Sequence, residues 1–238
     1  MTMPDGQSRP NPTDVTAAIL VAAGSSTRMA GIDKLWYEVE GRPLIAYALR
    51  TLAEVDAIDV VVAVAPRDRH EALHALVVDL DRVDVRCVEG GARRQDSVAA
   101  GLAAVPEAEW VLVHDAARPL VTREVCAAVL RAARLHGAAI PVVPLVDTVK
   151  RVDVNGRVEA TVDRAALRAV QTPQGFAAPL LRRAHTEVVW DVTDDAAQVE
   201  ALGAPVYAVP GDPRTFKVTT PEDLQMVRTL IAIWTPPG

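Results

Sequence analysis

From Thr16 to Val143 the sequence repeats one unit: a short run of valine, isoleucine, leucine and alanine, then a loop, then a stretch with apolar residues at helical spacing. The runs at 18–21, 60–64, 83–88, 111–114 and 139–143 have the length of strands and are bounded by turn residues. Helical patterns fall between them at 44–55, 67–80, 97–104 and 124–135, with Pro43 placed for a first turn, Thr122 as a cap and Gly137 as a stop. Strands alternating with helices imply right-handed crossovers and a mostly parallel α/β sheet with helices on both faces. Strands buried on both sides need aliphatic side chains. The composition agrees, since 50% of the 238 residues are hydrophobic and only 4% are aromatic. In such a sheet ligands sit at the carboxyl ends of the strands. Chemistry is therefore expected in the loops at 22–34, 65–67, 89–96 and 115–120.

The rhythm breaks after Val146. Residues 148–161 hold two alternating runs joined by Asn155-Gly156, a two-residue hairpin signal. Both faces of this hairpin are polar, and an isolated hairpin is marginally stable in water. The arm, at about 147–165, is therefore expected to lie on a partner surface. Beyond it the pattern predicts helices at 179–187, 195–202 and 222–234 and strands at 205–209 and 216–218. Residues 1–14 hold three prolines and few apolar side chains, which predicts a disordered tail and leaves 15–238 as a single domain.

Lys and Arg number 25 against 31 Asp and Glu, a formal charge of −6, which argues against a nucleic-acid partner. Cys87 and Cys126 stand far apart and outside any metal-ligand spacing, so neither a zinc site nor a disulfide framework is supported. A reducing cytoplasm is the simplest compartment. The apolar stretch 15–23 follows Asp5 and Asp14 against one Arg9, the wrong sign for an export signal. No apolar run reaches the roughly 18 to 20 residues that span a bilayer, so no membrane partner is expected.

Strand one runs into Ala22-Ala23-Gly24-Ser25-Ser26-Thr27-Arg28, with Lys34 beyond. Small residues after a buried strand let backbone N–H groups approach a phosphate chain or a base, and two cations could neutralise phosphate. The alternative is an ordinary turn carrying two solvated cations. The loop is neither a Walker loop nor a dinucleotide glycine turn. The next strand-end loop, Glu89-Gly90-Gly91-Ala92-Arg93-Arg94-Gln95-Asp96-Ser97, permits close backbone approach, or else is a glycine turn capped by Ser97. A further strand ends in His114-Asp115-Ala116-Ala117-Arg118-Pro119. Asp115 there can hold a divalent cation or an acceptor hydroxyl, or can cap the loop paired with Arg118. His114 reads as a side chain packed under the loop rather than a base.

Taken together, the order Ala22-Ala-Gly, Arg28, Lys34, Gly90-Gly91, Asp96-Ser97, His114-Asp-Ala-Ala-Arg-Pro119, Asp147-Thr-Val-Lys150, Val162-Asp-Arg164, Gln171-Thr-Pro-Gln174, Thr193-Asp-Asp-Ala196, Phe216-Lys-Val-Thr219 and Pro221-Glu-Asp-Leu224 resembles the methylerythritol phosphate cytidylyltransferase family from about Thr16 to Leu230. The resemblance implies a Rossmann-like nucleotidyltransferase sheet. It also implies transfer of a cytidylyl group from CTP to the phosphate of 2-C-methyl-D-erythritol 4-phosphate, with release of pyrophosphate, in non-mevalonate isoprenoid synthesis. Carried over residue by residue, it makes Arg28, Lys34, Arg164 and Lys217 catalytic, Arg164 and Lys217 holding the attacking phosphate. Ala22, Ala23, Gly24, Gly91 and Ser97 become the nucleotide shell, and Asp115, Arg118, Thr148, Thr172 and Thr193 the acceptor side. It further implies Mg²⁺ held mainly by the CTP phosphates, with Asp115 as a candidate protein ligand, and a homodimer whose arms cross to the neighbouring subunit.

The sequence departs from the family at Ser26, where glycine is usual, at Asp33-Lys34-Leu35, where Pro-Lys-Gln is usual, and at Ala92, where an acidic residue is common. Three other readings compete. Ribitol 5-phosphate cytidylyltransferases share the fold and most blocks. A regulatory nucleotide-binding module has no need for cations on both sides of the α-phosphate. A nicotinamide oxidoreductase is disfavoured by the first loop, which lacks the dinucleotide glycines.

Overall fold

The computed structural model describes residues 14–24 and 33–234. The expected N-terminal tail, Asp14 apart, lies outside the described residues, as do Ser26 and Arg28. In chain order the elements are β1 (Thr16–Val21), a small hairpin of β2 (Glu38–Val39) and β3 (Arg42–Pro43), α1 (Leu44–Ala53), β4 (Val60–Val64), and a 3₁₀ turn at Arg67–Arg69 leading into α2 (His70–Ala75). There follow β5 (Asp84–Val88), α3 (Arg94–Ala103), β6 (Trp110–Asp115), α4 (Arg123–His136) and β7 (Ala138–Pro144). The arm is β8 (Val149–Val152) and β9 (Val158–Val162), and the chain then returns through β10 (Arg168–Val170), β11 (Gln174–Ala177), α5 (Ala178–Glu187), α6 (Asp195–Ala201), β12 (Tyr207–Pro210) and α7 (Pro221–Trp234).

Strands β5, β4, β1 and β6 lie side by side and parallel, as the repeat predicts. Strand β11 runs antiparallel between β6 and β7, β10 runs antiparallel on β7, and β12 pairs with β7 in parallel. From β1 the chain steps one way to β4 and β5, then returns to place β6 on the other flank of β1. The crevice beyond the ends of β1 and β6, where Val21 pairs with Asp115, is thus a topological switch point.

The central strands bury both faces. Ala18, Leu20, Val61 and Ala63 meet Ile45 and Leu49 of α1 and Val129 of α4 on one face. On the other, Ala17, Ile19, Val60 and Val62 meet Val98 of α3, Leu181 of α5 and Val199 of α6. Each buried valine, leucine or isoleucine here gains about 1.5–3 kcal/mol on burial, so the sheet floor is rigid and the loops above it are free to carry function. A third cluster packs α7, through Leu224, Val227 and Ile231, against Val39 and Leu44. Among the described residues no helix is long and apolar enough to cross a membrane.

The structure departs from sequence expectation in several places. The helix expected over 67–80 is confined to His70–Ala75, because Val77, Val78 and Asp79 are poor helix formers and the N–H groups of Leu76, Val77 and Leu80 bond three residues back. The stretch 216–218 is a loop, since the Val218 N–H bonds Ala117 O rather than a neighbouring strand. The arm turn is longer than two residues: Gly156 N bonds Asp153 O, Asp153 N bonds Arg157 O, and Gly156 sits at φ 83°, a left-handed bulge position that glycine takes without strain. Ser97 does not start its helix, which begins three residues earlier at Arg94.

Candidate active site

Two cavities open at the switch point. One, of about 480 Å³, is lined by Ala23, Gly24, Lys34, Gly91, Ser97 and other residues that include Arg94, Asp115 and Lys217. The second, of about 290 Å³, is lined by Arg118, Thr172, Gln174 and Thr193, and again by Arg94, Asp115 and Lys217. Those three shared residues form the wall between the cavities. Ala22 sits behind the first cavity, its N–H committed to Val64 O in the sheet ladder. Thr148 and Arg164 flank the arm, are exposed, and line neither cavity.

The first cavity is shaped by close approach. A Cβ on Gly90 would overlap Ala23 Cβ and Ser97 Oγ, so only glycine lets the two strand-end loops meet there. Ser97 ties its loop together, accepting from Gly91 N at 3.1 Å and donating to Arg93 O at 3.2 Å. Lys34 crosses the cavity mouth and its Nζ donates to Val218 O at 2.9 Å. A charged phosphate oxygen is a stronger acceptor for an ammonium than a neutral carbonyl. Next to it, Asp33 pairs with Arg69 at 3.0 Å, and the Arg69 guanidinium lies 5.0 Å from the Trp36 ring centre.

The shared wall is an ion chain. Asp115 Oδ2 accepts from Lys217 Nζ at 2.8 Å and Oδ1 accepts from Arg94 Nε at 3.1 Å. Arg94 Nη1 in turn donates to Oδ2 of the buried Asp195 at 2.8 Å. Burial alone would raise the Asp115 pKa, but Arg94 and Lys217 hold its carboxyl well below the usual carboxylate range. Burial likewise opposes the Arg94 charge, yet Asp195 and Asp115 outweigh it and strengthen its hold on the proton. Asp115 is thus paired with Arg94 and Lys217, not with Arg118 as a loop-capping reading of the sequence would have it. Arg118 Nη1 donates instead to Thr215 O at 2.9 Å and fastens the loop after β6.

His114 is fully buried beneath that loop, where the sequence reading put it. Its Nε2 bonds Arg118 O at 3.1 Å, and because a carbonyl only accepts, Nε2 carries the proton. Nδ1 then accepts from Thr172 Oγ1 at 2.9 Å, and the Thr172 oxygen accepts from Asp115 N at 3.1 Å. The Thr172 hydroxyl proton is thereby spent on the fold, leaving one lone pair toward the second cavity. Burial pushes the His114 pKa down to about 4, so the ring is neutral near pH 7. Gln174 completes the frame, donating to Asp194 Oδ2 at 2.7 Å and accepting from Ala196 N at 3.1 Å.

Among the described residues no group of three or more His, Cys, Asp and Glu side chains converges. The described residues therefore offer a divalent cation no cage; Asp115 is the carboxylate that lines the first, cation-lined cavity. That donor set suits a magnesium ion that arrives on phosphate oxygens and keeps its waters.

A family model described as 2-C-methyl-D-erythritol 4-phosphate cytidylyltransferase matches residues 16–232. A protein of that name from Nocardia farcinica is 46% identical over 218 residues, covering 90% of this chain and 93% of the relative. A bifunctional IspD/IspF enzyme from Solidesulfovibrio magneticus is 50% identical over 219 residues; the match covers 87% of this chain and 54% of that enzyme, so the chain spans about half of it. The crystal structure of the 2-C-methyl-D-erythritol 4-phosphate cytidylyltransferase from Thermus thermophilus superposes with a TM-score of 0.75 at 38% identity, covering 90% of this chain and 98% of that one. With its switch-point crevice walled by Arg94, Asp115 and Lys217, and with near full-length likeness to the Nocardia and Thermus proteins, the chain belongs to the 2-C-methyl-D-erythritol 4-phosphate cytidylyltransferase family.

Proposed function

We propose that this chain transfers the cytidylyl group of CTP to 2-C-methyl-D-erythritol 4-phosphate, giving 4-diphosphocytidyl-2-C-methyl-D-erythritol and pyrophosphate for isoprenoid precursor synthesis. The observation that carries this reading is the pair of cavities meeting at one cationic wall, in a chain of this family. CTP occupies the larger cavity against Ala23, Gly24, Gly91 and Ser97, with Ala22 behind. The polyol phosphate occupies the smaller one, its hydroxyls near Asp115, Arg118, Thr172 and Thr193. An acceptor phosphate oxygen attacks the α-phosphorus as the bond to the β-phosphate oxygen breaks, and the electron pair leaves with pyrophosphate. The attacking oxygen is already ionised, so no general base is needed, in keeping with a neutral, buried His114. The work left to the protein is to bring two anions together and stabilise charge in flight. Lys34 serves the triphosphate side and Lys217 the attacking phosphate. Arg28, outside the described residues, is assigned to the triphosphate by resemblance alone. Asp115 would be the residue to hold a Mg²⁺ arriving with the nucleotide, and that ion would supply charge neutralisation for the leaving pyrophosphate.

The active unit we propose is a cytoplasmic homodimer with exchanged arms. What supports the exchange is the placement of Arg164 and Thr148, both exposed and away from the cavities of their own chain, beside an arm carrying exposed Val152, Val154 and Val158. The purified chain with CTP and Mg²⁺ is expected to release pyrophosphate only on addition of the methylerythritol phosphate. Ribitol 5-phosphate supporting faster turnover would move the assignment to that acceptor, and equal turnover with ATP would remove the cytidylyl specificity.

A further inference from the structure

We propose that Asp195 and Arg94 are positioning residues for the acceptor: a buried carboxylate that no substrate reaches sets the guanidinium that sets Asp115. The inference rests on the cytidylyl-transfer reading. Asp195 is fully buried and lines neither cavity, whereas Arg94 and Asp115 line both. Two Arg94 nitrogens are spent on the two carboxylates, Nε on Asp115 and Nη1 on Asp195, while Nη2 is buried without a hydrogen-bond partner. The guanidinium plane is thus fixed from behind by Asp195 and presents a fixed edge to Asp115.

On its other side Asp195 has His185, whose Nε2 stands 3.4 Å from Oδ1 without hydrogen-bond alignment, so Arg94 is the principal tether of the buried charge. A buried ion pair adds little net stability, because desolvation offsets the attraction. What it can supply is geometry. Asp115 must present its carboxylate to the acceptor cavity while also holding Lys217 at 2.8 Å, and a free carboxylate has two torsions with which to lose that aim. Arg94 removes them. Asp195 thereby controls, from behind the wall, where both the Asp115 oxygens and the Lys217 ammonium stand before the acceptor arrives.

The test is Asp195→Asn, which keeps the shape and removes the charge. Steady-state kinetics on the full chain should show the acceptor KM raised by on the order of 10-fold or more, since small misplacements remote from the chemistry are costly. CTP affinity, titrated calorimetrically without acceptor, should fall by a clearly smaller factor than the acceptor KM rises, although Arg94, Asp115 and Lys217 also line that cavity. A lowered melting temperature with an unchanged acceptor KM, or equal weakening of CTP and acceptor, would overturn the inference and leave Asp195 a structural residue. If Asp195→Asn does not fold, Arg94→Lys decides: one mobile ammonium replaces the two fixed donors, Nε and Nη1, that span Asp115 and Asp195, so the same split is expected and its absence overturns the proposal. Wild-type chain is assayed in parallel, because failure of wild type to use the acceptor counts against the functional reading, not against the positioning role.

Discussion

Replacing Lys34 with alanine is expected to lower kcat by on the order of 10² or more, the usual cost of losing one preorganised charge where negative charge develops. Lys34 is placed for that role by the loops that fix it: its ammonium rests on Val218 O, and Val218 N is itself anchored to Ala117 O at the exit of β6. The cation is therefore held over the cavity before any ligand enters, so little reorganisation is left for the moment of reaction. Lys217→Ala should act differently. It removes a cation that faces the second cavity and leaves Asp115 paired only with Arg94, so acceptor KM should rise along with the fall in kcat. Steady-state kinetics on variants that remain folded by circular dichroism check both. A Lys34 variant with near wild-type kcat would remove this crevice from the reaction.

Mixing two inactive variants is expected to regenerate activity. If each site combines Lys34 of one chain with Arg164 of its neighbour, two-fold symmetry makes the exchange reciprocal. In a dimer of one Lys34→Ala chain and one Arg164→Ala chain, one site then holds both lesions and the other holds neither. Isolated by two different tags, that dimer should show about half of wild-type activity, and random co-expression about a quarter. Were both residues to serve a site within their own chain, every site would carry one lesion. Activity no higher than that of the single-variant dimers would then be found, and the shared site would be lost. The structure gives the experiment its motive, since Arg164 stands exposed beyond β9, outside both cavities of its chain.

The parallel half of the fold was legible because aliphatic runs buried on both faces leave an unambiguous pattern; β4 lies on the predicted 60–64, and Thr122 and Gly137 bound α4 as expected, with Thr122 Oγ1 accepting from Val125 N and Gly137 at φ 91°. What escaped was short or non-periodic. Strands β10 and β11 have three and four residues, too few for alternation to register, although β11 inserts Phe176 into the centre of the core. The loop at 216–218 reads as a strand because Phe216 and Val218 alternate around Lys217, yet it is held by Ala117 and by Lys34 rather than by a ladder.

The site residues that a strand-end rule picks out, Gly24, Lys34, Gly91, Ser97 and Asp115, converge around one cavity. Arg94 was missed, because the sequence pattern starts that helix at Ser97. It is the first residue of α3, where the helix dipole disfavours a cation by about 0.3–1 kcal/mol, and a local rule broken without local compensation marks a functional place. The compensation is Asp115 and Asp195, 21 and 101 residues away in sequence, which no local pattern displays.

In the reaction proposed for this crevice the acceptor's phosphate oxygen, and not water, attacks the α-phosphorus of CTP. Phosphorus-31 NMR of a reaction mixture of the chain, CTP, Mg²⁺ and 2-C-methyl-D-erythritol 4-phosphate tests it directly. The acceptor's monoester signal should be replaced by the two coupled signals of a new P–O–P bridge, in step with pyrophosphate, on the order of 10²-fold faster in the wild type than in Lys34→Ala. Pyrophosphate appearing together with CMP, while the monoester signal stays unchanged, would show hydrolysis instead and would contradict it.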